Sequence, residues 1–299
     1  MKKAFPIAAV LAVGVLLLCR PADAAAAVQN GLRLCVGTVI PSLFPFFVVI
    51  SLLLQLGLAD GLQGLCAPVM RPLFHMRGVC VLPLLAGLLG GYPSGAKTAA
   101  ELYRQGQISR QEAELLLGFC DNCGPAFLLG YAGAGVLGSQ RAGIWLFGIH
   151  IAAALLTGML LCRVQRDRGP GLLRSSLPVK PVGLPQALTG SVSGAAASMM
   201  NICAFVVLFR VLAALMPGQI PGALLGTLEM VTGMAALEPG QAGFIAAAAM
   251  AGWGGLSVHC QAMSVAEGLR FRWHWVGKAV QAVISGVLAA GVWMLILPA

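Results

Sequence analysis

The chain has 299 residues, 59% of them hydrophobic and 10% charged, with a mean hydropathy of +0.88. So little polar surface cannot coat a soluble domain, and the glycine- and alanine-rich apolar runs suit helices packed closely in lipid rather than the short alternating strands of a membrane barrel. The formal charge of +9 does not mark a nucleic-acid binder, because the basic residues stand in short segments between apolar runs with no aromatics interleaved; they set membrane orientation instead.

Residues 1–32 open with Lys2, Lys3, a short apolar core and Ala22-Asp23-Ala24, a pattern that fits either a signal-like segment or a retained first transmembrane helix, followed by an amphipathic linker. The first membrane half is predicted over 33–162. Within it, "LCVGTVIPSLFPFFVVISLLLQLGL" (34–58) is long enough to cross about 30 Å of hydrocarbon, with Pro41 and Pro45 kinking its first part. The apolar run 78–91 is too short for a comfortable crossing and ends in "GGYPSGAK", so it reads as a re-entrant hairpin. Residues 98–114 mix acidic and basic side chains, and Ser109 with Glu112 has the spacing of a capping box that starts a helix over 111–137. A clean apolar segment, 142–162, leads into a basic loop punctuated by Pro and Gly, 163–185.

The second half, 186–299, contains an apolar stretch that breaks at "PGQIPG" (217–222), a second interrupted run over 246–264, and a last crossing over 276–298. If 78–97 dips in and returns, Lys2, Lys3 and the basic segments 59–77, 98–114 and 163–181 share one side. By the positive-inside rule this puts the N-terminus and the central loop in the cytoplasm of a multi-pass cell-membrane protein. For 261–275 the cues conflict: an inverted repeat places it outside, whereas Arg270, Arg272 and Lys278 place it inside. The fold class is therefore an all-α polytopic membrane protein, a helical bundle with two re-entrant hairpin-like segments. The shared "AG", "GG" and Ser pattern of Ala86–Ser94 and Ala251–Ser257 hints at an internal repeat.

"GLLGGYPSGAKTAAELY" (87–103) nearly spells a phosphate-binding Walker A loop, but Ala96 separates Gly95 from Lys97 and no β-branched strand precedes it, which excludes a nucleotide hydrolase. It suits a hairpin tip instead. Gly90 and Gly91 permit tight backbone, Pro93 ends the incoming helix, and Ser94 and Gly95 begin an outgoing one whose free amides need a polar partner. The plain alternative is a simple turn with Lys97 snorkelling to the interface. In "CDNCGPAF", Asp121 and Asn122 precede Gly124 and Pro125, and the proline removes a donor and breaks the helix. An intramembrane carboxylate is costly and points to function, unless it lies at the interface or bonds another helix.

At the second interrupted run, Ser257, His259 and Gln261 offer hydrogen-bonding groups for a solute, with core packing the alternative for His259. A Ser–His hydrolase would need an orienting acid and a nucleophile elbow that the chain lacks. Arg210 and Glu229, the other charges in apolar stretches, read as structural. Nine cysteines, an odd number scattered mostly through apolar runs, form no disulfide framework. The lone CxxC of Cys120 and Cys123 has no second pair at ligand spacing, so neither metal nor other cofactor is expected.

"PSLFPFF" (41–47), "GLLGGYPSGAKTA" (87–99), the "ISRQEAE" helix start and "FCDNCGPAFLLG" (119–130), in this order, resemble the sporulation integral membrane protein YlbJ family, whose members carry the nucleoside recognition, or Gate, domain. The resemblance implies a membrane protein of endospore-forming bacteria required for spore cortex formation, with no established catalytic activity. It implies a likeness to part of the concentrative nucleoside transporters, and it nominates Gly91, Tyr92, Pro93, Ser94, Lys97, Asn122, Gly124 and Pro125 as lining a site. Asp121, Ser257, His259 and Gln261 join them from the reading of the residues. The expectation is a non-enzymatic, transporter-like or gated module in the lipid bilayer for a polar solute, nucleoside-like or a spore precursor. The alternative is a non-transporting scaffold whose partners are other sporulation membrane proteins or a second copy; no nucleic acid is expected.

Overall fold

The computed structural model describes residues 4–166, 183–216 and 221–296, so most of the basic loop 163–185 and part of the "PGQIPG" break lie outside the described residues. Regular structure among the described residues is entirely helical. Among the described residues, four helices are long and apolar enough to cross a membrane: Gln140–Gln165, Leu184–Leu215, Gln241–Val265 and Arg272–Leu295. Two bent helix pairs raise that number to as many as six.

The first bent pair is N-terminal. Helix α1 (Ala4–Cys19) meets α2 (Pro21–Leu34), whose first-turn proline suits a helix start, at an angle of 102°. The expected linker is thus a helix. It continues through a single π turn, Cys35–Val39, into α3 (Ile40–Gln55). This rod runs antiparallel to α9 (Leu184–Leu215): Gly31 sits on Val207, the Cys35 thiol faces the Cys203 carbonyl at 3.9 Å, and Gln55 Nε2 donates to Ser191 Oγ at 2.9 Å.

The second bent pair builds the first hairpin. Helix α4 (Leu58–Phe74) stops at His75, which adopts the left-handed region at φ 53° and returns its amide to the Arg71 carbonyl. The chain turns by 79° into α5 (Val81–Gly90). Gly91, at φ 84°, ends α5, and after Tyr92 and a cis-linked Pro93 the chain starts α6 (Ser94–Arg104). The two short helices lie against each other, and Gly87 on one and Gly95 on the other both abut the Cys120 carbonyl oxygen. The two short helices of the expected hairpin are therefore present, with the turn at Gly91–Pro93.

The capping box forms as predicted: Ser109 Oγ accepts from the Glu112 amide, and Glu112 accepts from the Ser109 amide at 2.8 Å, starting α7 (Arg110–Leu116). Glu112 also takes both arms of the Arg77 guanidinium at 2.7 and 3.1 Å, tying the foot of the hairpin to α7. Burial pushes the Glu112 carboxyl up, but Arg77 and the Ser109 bonds outweigh it and hold it below the usual carboxylate range. That contribution to stability is complete above the unfolded-chain value of about 4.3 and is lost as pH falls through the lower folded value. Melting curves in detergent between about pH 3 and 6 are expected to show this acid loss, and Glu112→Gln to flatten it; an unchanged slope in the variant would refute the assignment.

The expected helix 111–137 is broken where the sequence places the break. Residues 117–124 are non-helical, and a π-helical segment, Ala126–Val136, leads to α8 (Gln140–Arg166). In the second half the hairpin lies elsewhere than expected. Helices α10 (Gly222–Leu228) and α11 (Met230–Ala235) fold against each other about Glu229, with Gly222 on Ala236 and Gly226 on Gly233. Run 246–264 instead belongs to one broken crossing made of α12 (Gln241–Trp253) and α13 (Gly255–Val265). The physical difference is the proline. Pro93 blocks continuation of α5, whereas Gly254 and Gly255, at φ 89° and 82°, interrupt a helix that then resumes. The proposed pairing of Ala86–Ser94 with Ala251–Ser257 as an internal repeat is not confirmed.

The final helix, α14 (Arg272–Ile296), packs against both α8 and α12. Arg110 donates to the Gly268 carbonyl at 2.8 Å, the Arg270 amide donates to Glu114 at 3.1 Å, and Gln165 lines the same surface cleft as Arg110, Glu114 and Arg270. The basic segments around 77, 104–110, 165 and 270 thus share one face of the molecule. Lipid tails are as apolar as leucine, so close contact and internal hydrogen bonds must hold such a bundle. Accordingly Gly158 sits on the stacked rings of Phe74 and Phe119, whose centroids are 5.3 Å apart, and Gly252 lies on the backbone of Ala282.

Candidate functional site

Three interruptions of helix meet inside the bundle: the Gly91–Pro93 turn, the unwound 117–124 segment and the Gly254 break. Gly124 packs on the backbone of Gly91, and Gly254 packs on the ring of Tyr92. The Tyr92 hydroxyl donates to the Ala251 carbonyl at 2.7 Å. Broken helices free peptide groups that must find partners where water is absent.

Asp121 and Asn122 are fully buried in the unwound segment. Asn122 Nδ2 donates to the Phe119 carbonyl at 2.8 Å, while its Oδ1 accepts from Gln281 Nε2 at 2.9 Å. Gln281 Oε1 in turn accepts from Lys278 Nζ at 2.7 Å. Lys278, 0% exposed, also donates to the Asp121 carbonyl and to Tyr92 Oη, the latter at 3.3 Å, and its ammonium lies 5.0 Å from the centre of the Tyr92 ring. The Asp121 side chain lies within coulombic reach of that ammonium, and the Ala96 amide in the first turn of α6 faces it, yet neither carboxylate oxygen makes a hydrogen bond of good geometry. A buried carboxylate and a buried ammonium leave the centre electrically neutral overall. Beside them the Cys123 amide donates to His150 Nε2 at 2.9 Å.

Of the residues expected to line a site, Gly91, Tyr92, Asp121, Asn122 and Gly124 come together here. Pro93 and Pro125 precede the first turns of α6 and of the π-helical segment. Ser94 and Lys97 face a different space. Ser94 Oγ is buried without a hydrogen-bond partner and lines a narrow chamber with Phe47, Ser51, Lys97 and Glu101. Ser51, Lys97 and Glu101 also line a cleft of about 550 Å³ between α3, α6, α9 and α13. Lys97 spans it, 4.6 Å over the Phe47 ring and 3.2 Å from the Gly194 carbonyl, so its ammonium ends on α9.

Ser257, His259 and Gln261 are buried but form a separate set. Gln261 Nε2 donates to Ser257 Oγ at 3.1 Å, and His259 Nδ1 lies 2.8 Å from His274 Nε2 between the Trp253 and Trp275 rings. Glu229 caps α11, accepting from the Val231 and Thr232 amides at 3.0 and 2.7 Å, with the Arg210 Nε 3.9 Å away; the structural reading of that pair fits. The residues sequence reading missed are Lys278 and Gln281. Their signal was present: a lysine and a glutamine three apart, on one face of a helix otherwise apolar enough to cross.

Residues 36–165 match the family model described as Gate, nucleoside recognition. The chain is similar to the sporulation integral membrane protein YlbJ of Bacillus subtilis (strain 168), 31% identical over 204 residues that make up 61% of this chain and 49% of that protein. The chain thus spans about half the length of the curated relative it matches. No solved structure matches it. The ordered motifs and these likenesses agree: residues 36–165 are similar to the Gate, nucleoside recognition, family, and the chain is similar over 204 residues to a sporulation integral membrane protein.

Proposed function

We propose that this protein is a transporter-like, gated module for a polar solute, nucleoside-like or a spore precursor, and that it serves formation of the spore cortex. The observation that carries this reading is the Ser94 hydroxyl at the hairpin start, buried without a partner in a chamber that shares its lining with the 550 Å³ cleft. An unpaired buried hydroxyl at the free end of a half-crossing helix is a ready ligand for a solute's polar group. The positive-inside rule puts the face bearing Arg77, Arg110 and Arg270 in the cytoplasm, together with the N-terminus and central loop. The module performs no catalytic step in this reading and works without a cofactor.

Uptake by proteoliposomes over a panel of nucleosides and cell-wall precursors is the test. Time-dependent uptake is expected, and Ser94→Ala is expected to lower it about tenfold, the worth of one lost hydrogen bond to a buried group. No uptake or binding across the panel, or uptake indifferent to Ser94→Ala, rejects the proposal. The central network, whose side chains bond mainly to one another, favours a second reading: a non-transporting scaffold that holds other sporulation membrane proteins or a second copy. Stable co-purification of such a partner with no flux would select it.

A further inference from the structure

The Lys278 ammonium has three N–H donors and three oxygens to receive them: the Asp121 carbonyl, Gln281 Oε1 at 2.7 Å and Tyr92 Oη at 3.3 Å. All three acceptors are neutral oxygens, the ligand type that replaces the hydration shell of a monovalent cation. Each is also committed to that role by a second contact. Gln281 must turn its oxygen to Lys278 because its Nε2 is engaged by Asn122 Oδ1 at 2.9 Å, and Asn122 is itself oriented by the Phe119 carbonyl at 2.8 Å. Tyr92 must offer a lone pair because its proton goes to the Ala251 carbonyl at 2.7 Å. The Asp121 carbonyl is held in an unwound stretch with no helical partner to claim it. The Asp121 side chain is buried in the same unwound stretch and spends neither oxygen on a hydrogen bond.

The cage is therefore polarised for a positive charge by groups other than the lysine. We infer that Lys278 fills a monovalent-cation site with its own ammonium, a tethered cation that joins the hairpin turn, the unwound segment and α14, so that the protein needs no dissolved Na⁺ or K⁺ at this position. Shortening the side chain would leave the oxygens and the carboxylate facing a space that a free cation of that size can enter.

The inference requires no solute, so it can fail while the transport reading stands, and the converse. Melting of the purified full chain in detergent is measured in choline chloride, NaCl and KCl at equal ionic strength. Wild-type protein is expected to melt alike in all three. Lys278→Ala is expected to melt lower in choline and to recover saturably with Na⁺ or K⁺, whereas Lys278→Met, which fills the space with an apolar chain, recovers with neither. Saturable stabilisation of the wild type by Na⁺ or K⁺, or a folded Lys278→Ala indifferent to both, overturns the inference. If Lys278→Ala cannot be isolated, the double variant Lys278→Ala with Asp121→Asn decides: its recovery as folded, cation-indifferent protein supports the cage, and its failure to fold refutes it.

Discussion

Gly95→Ala is expected to cost more than about 3 kcal/mol of stability, enough to remove most folded protein from detergent extracts. A Cβ at Gly95 would collide with the Cys120 carbonyl oxygen and crowd the Asp121 Cα, and one at Gly87 would strike the same oxygen from the other helix of the hairpin. The obstacle is backbone, fixed by the bond from the Cys120 amide to the Leu116 carbonyl at 2.8 Å, and no side chain can swing away to relieve it. Gly148→Ala is the control: it lies in α8 with nothing within 4 Å of the new methyl and is expected to be neutral or to stabilise by up to about 1 kcal/mol. Thermal melting followed by size exclusion reads both. Equal melting of the two variants would mean that the hairpin does not press on the unwound segment.

Gln281→Leu is expected to be nearly as damaging, at about 3 kcal/mol, although leucine suits a transmembrane helix better than glutamine does. The amide is the single bridge between Lys278 and Asn122, and its loss leaves an ammonium proton and the Asn122 Oδ1 unsatisfied in a site that water does not reach, each costing about 1–3 kcal/mol. A leucine variant that melts higher than wild type, as simple hydropathy predicts, would show that the network contributes nothing to the fold.

The legible parts of the sequence were those where local chemistry decides the conformation. Ser109 and Glu112 cap a helix through bonds three residues apart, and Gly91 followed by Pro93 stops one by sterics, so both follow from neighbours in the chain. The break at Asp121–Gly124 was visible for the same reason, and so was the cost of burying Asp121. What was not legible depends on partners distant in sequence. Lys278 reads as an interfacial charge at the start of the last helix until Asp121 is seen to lie across from it, 157 residues away. The Gly254-Gly255 pair resembles Gly90-Gly91 letter for letter, yet only the latter is followed by a proline, and the turn of the second half is made instead by the cap that Glu229 places on α11. Ser257, His259 and Gln261 read as hydrogen-bonding groups for a solute; they are buried, and the partner that orders His259, His274, lies on the next helix and outside any motif.

The π turn at Cys35–Val39 has a consequence for length. A single π turn holds one residue more than the α-helical turn it replaces while leaving the helix on either side aligned. Removing one residue there lets the rod revert to regular winding with Gly31 still on Val207 and Gln55 still beside Ser191. The same deletion in α3 ahead of Phe47 swings everything beyond it by about 100° and carries Phe47 off α9. Within this rod, the π turn is where the loss of one residue leaves the contacts on either side with α9 in place.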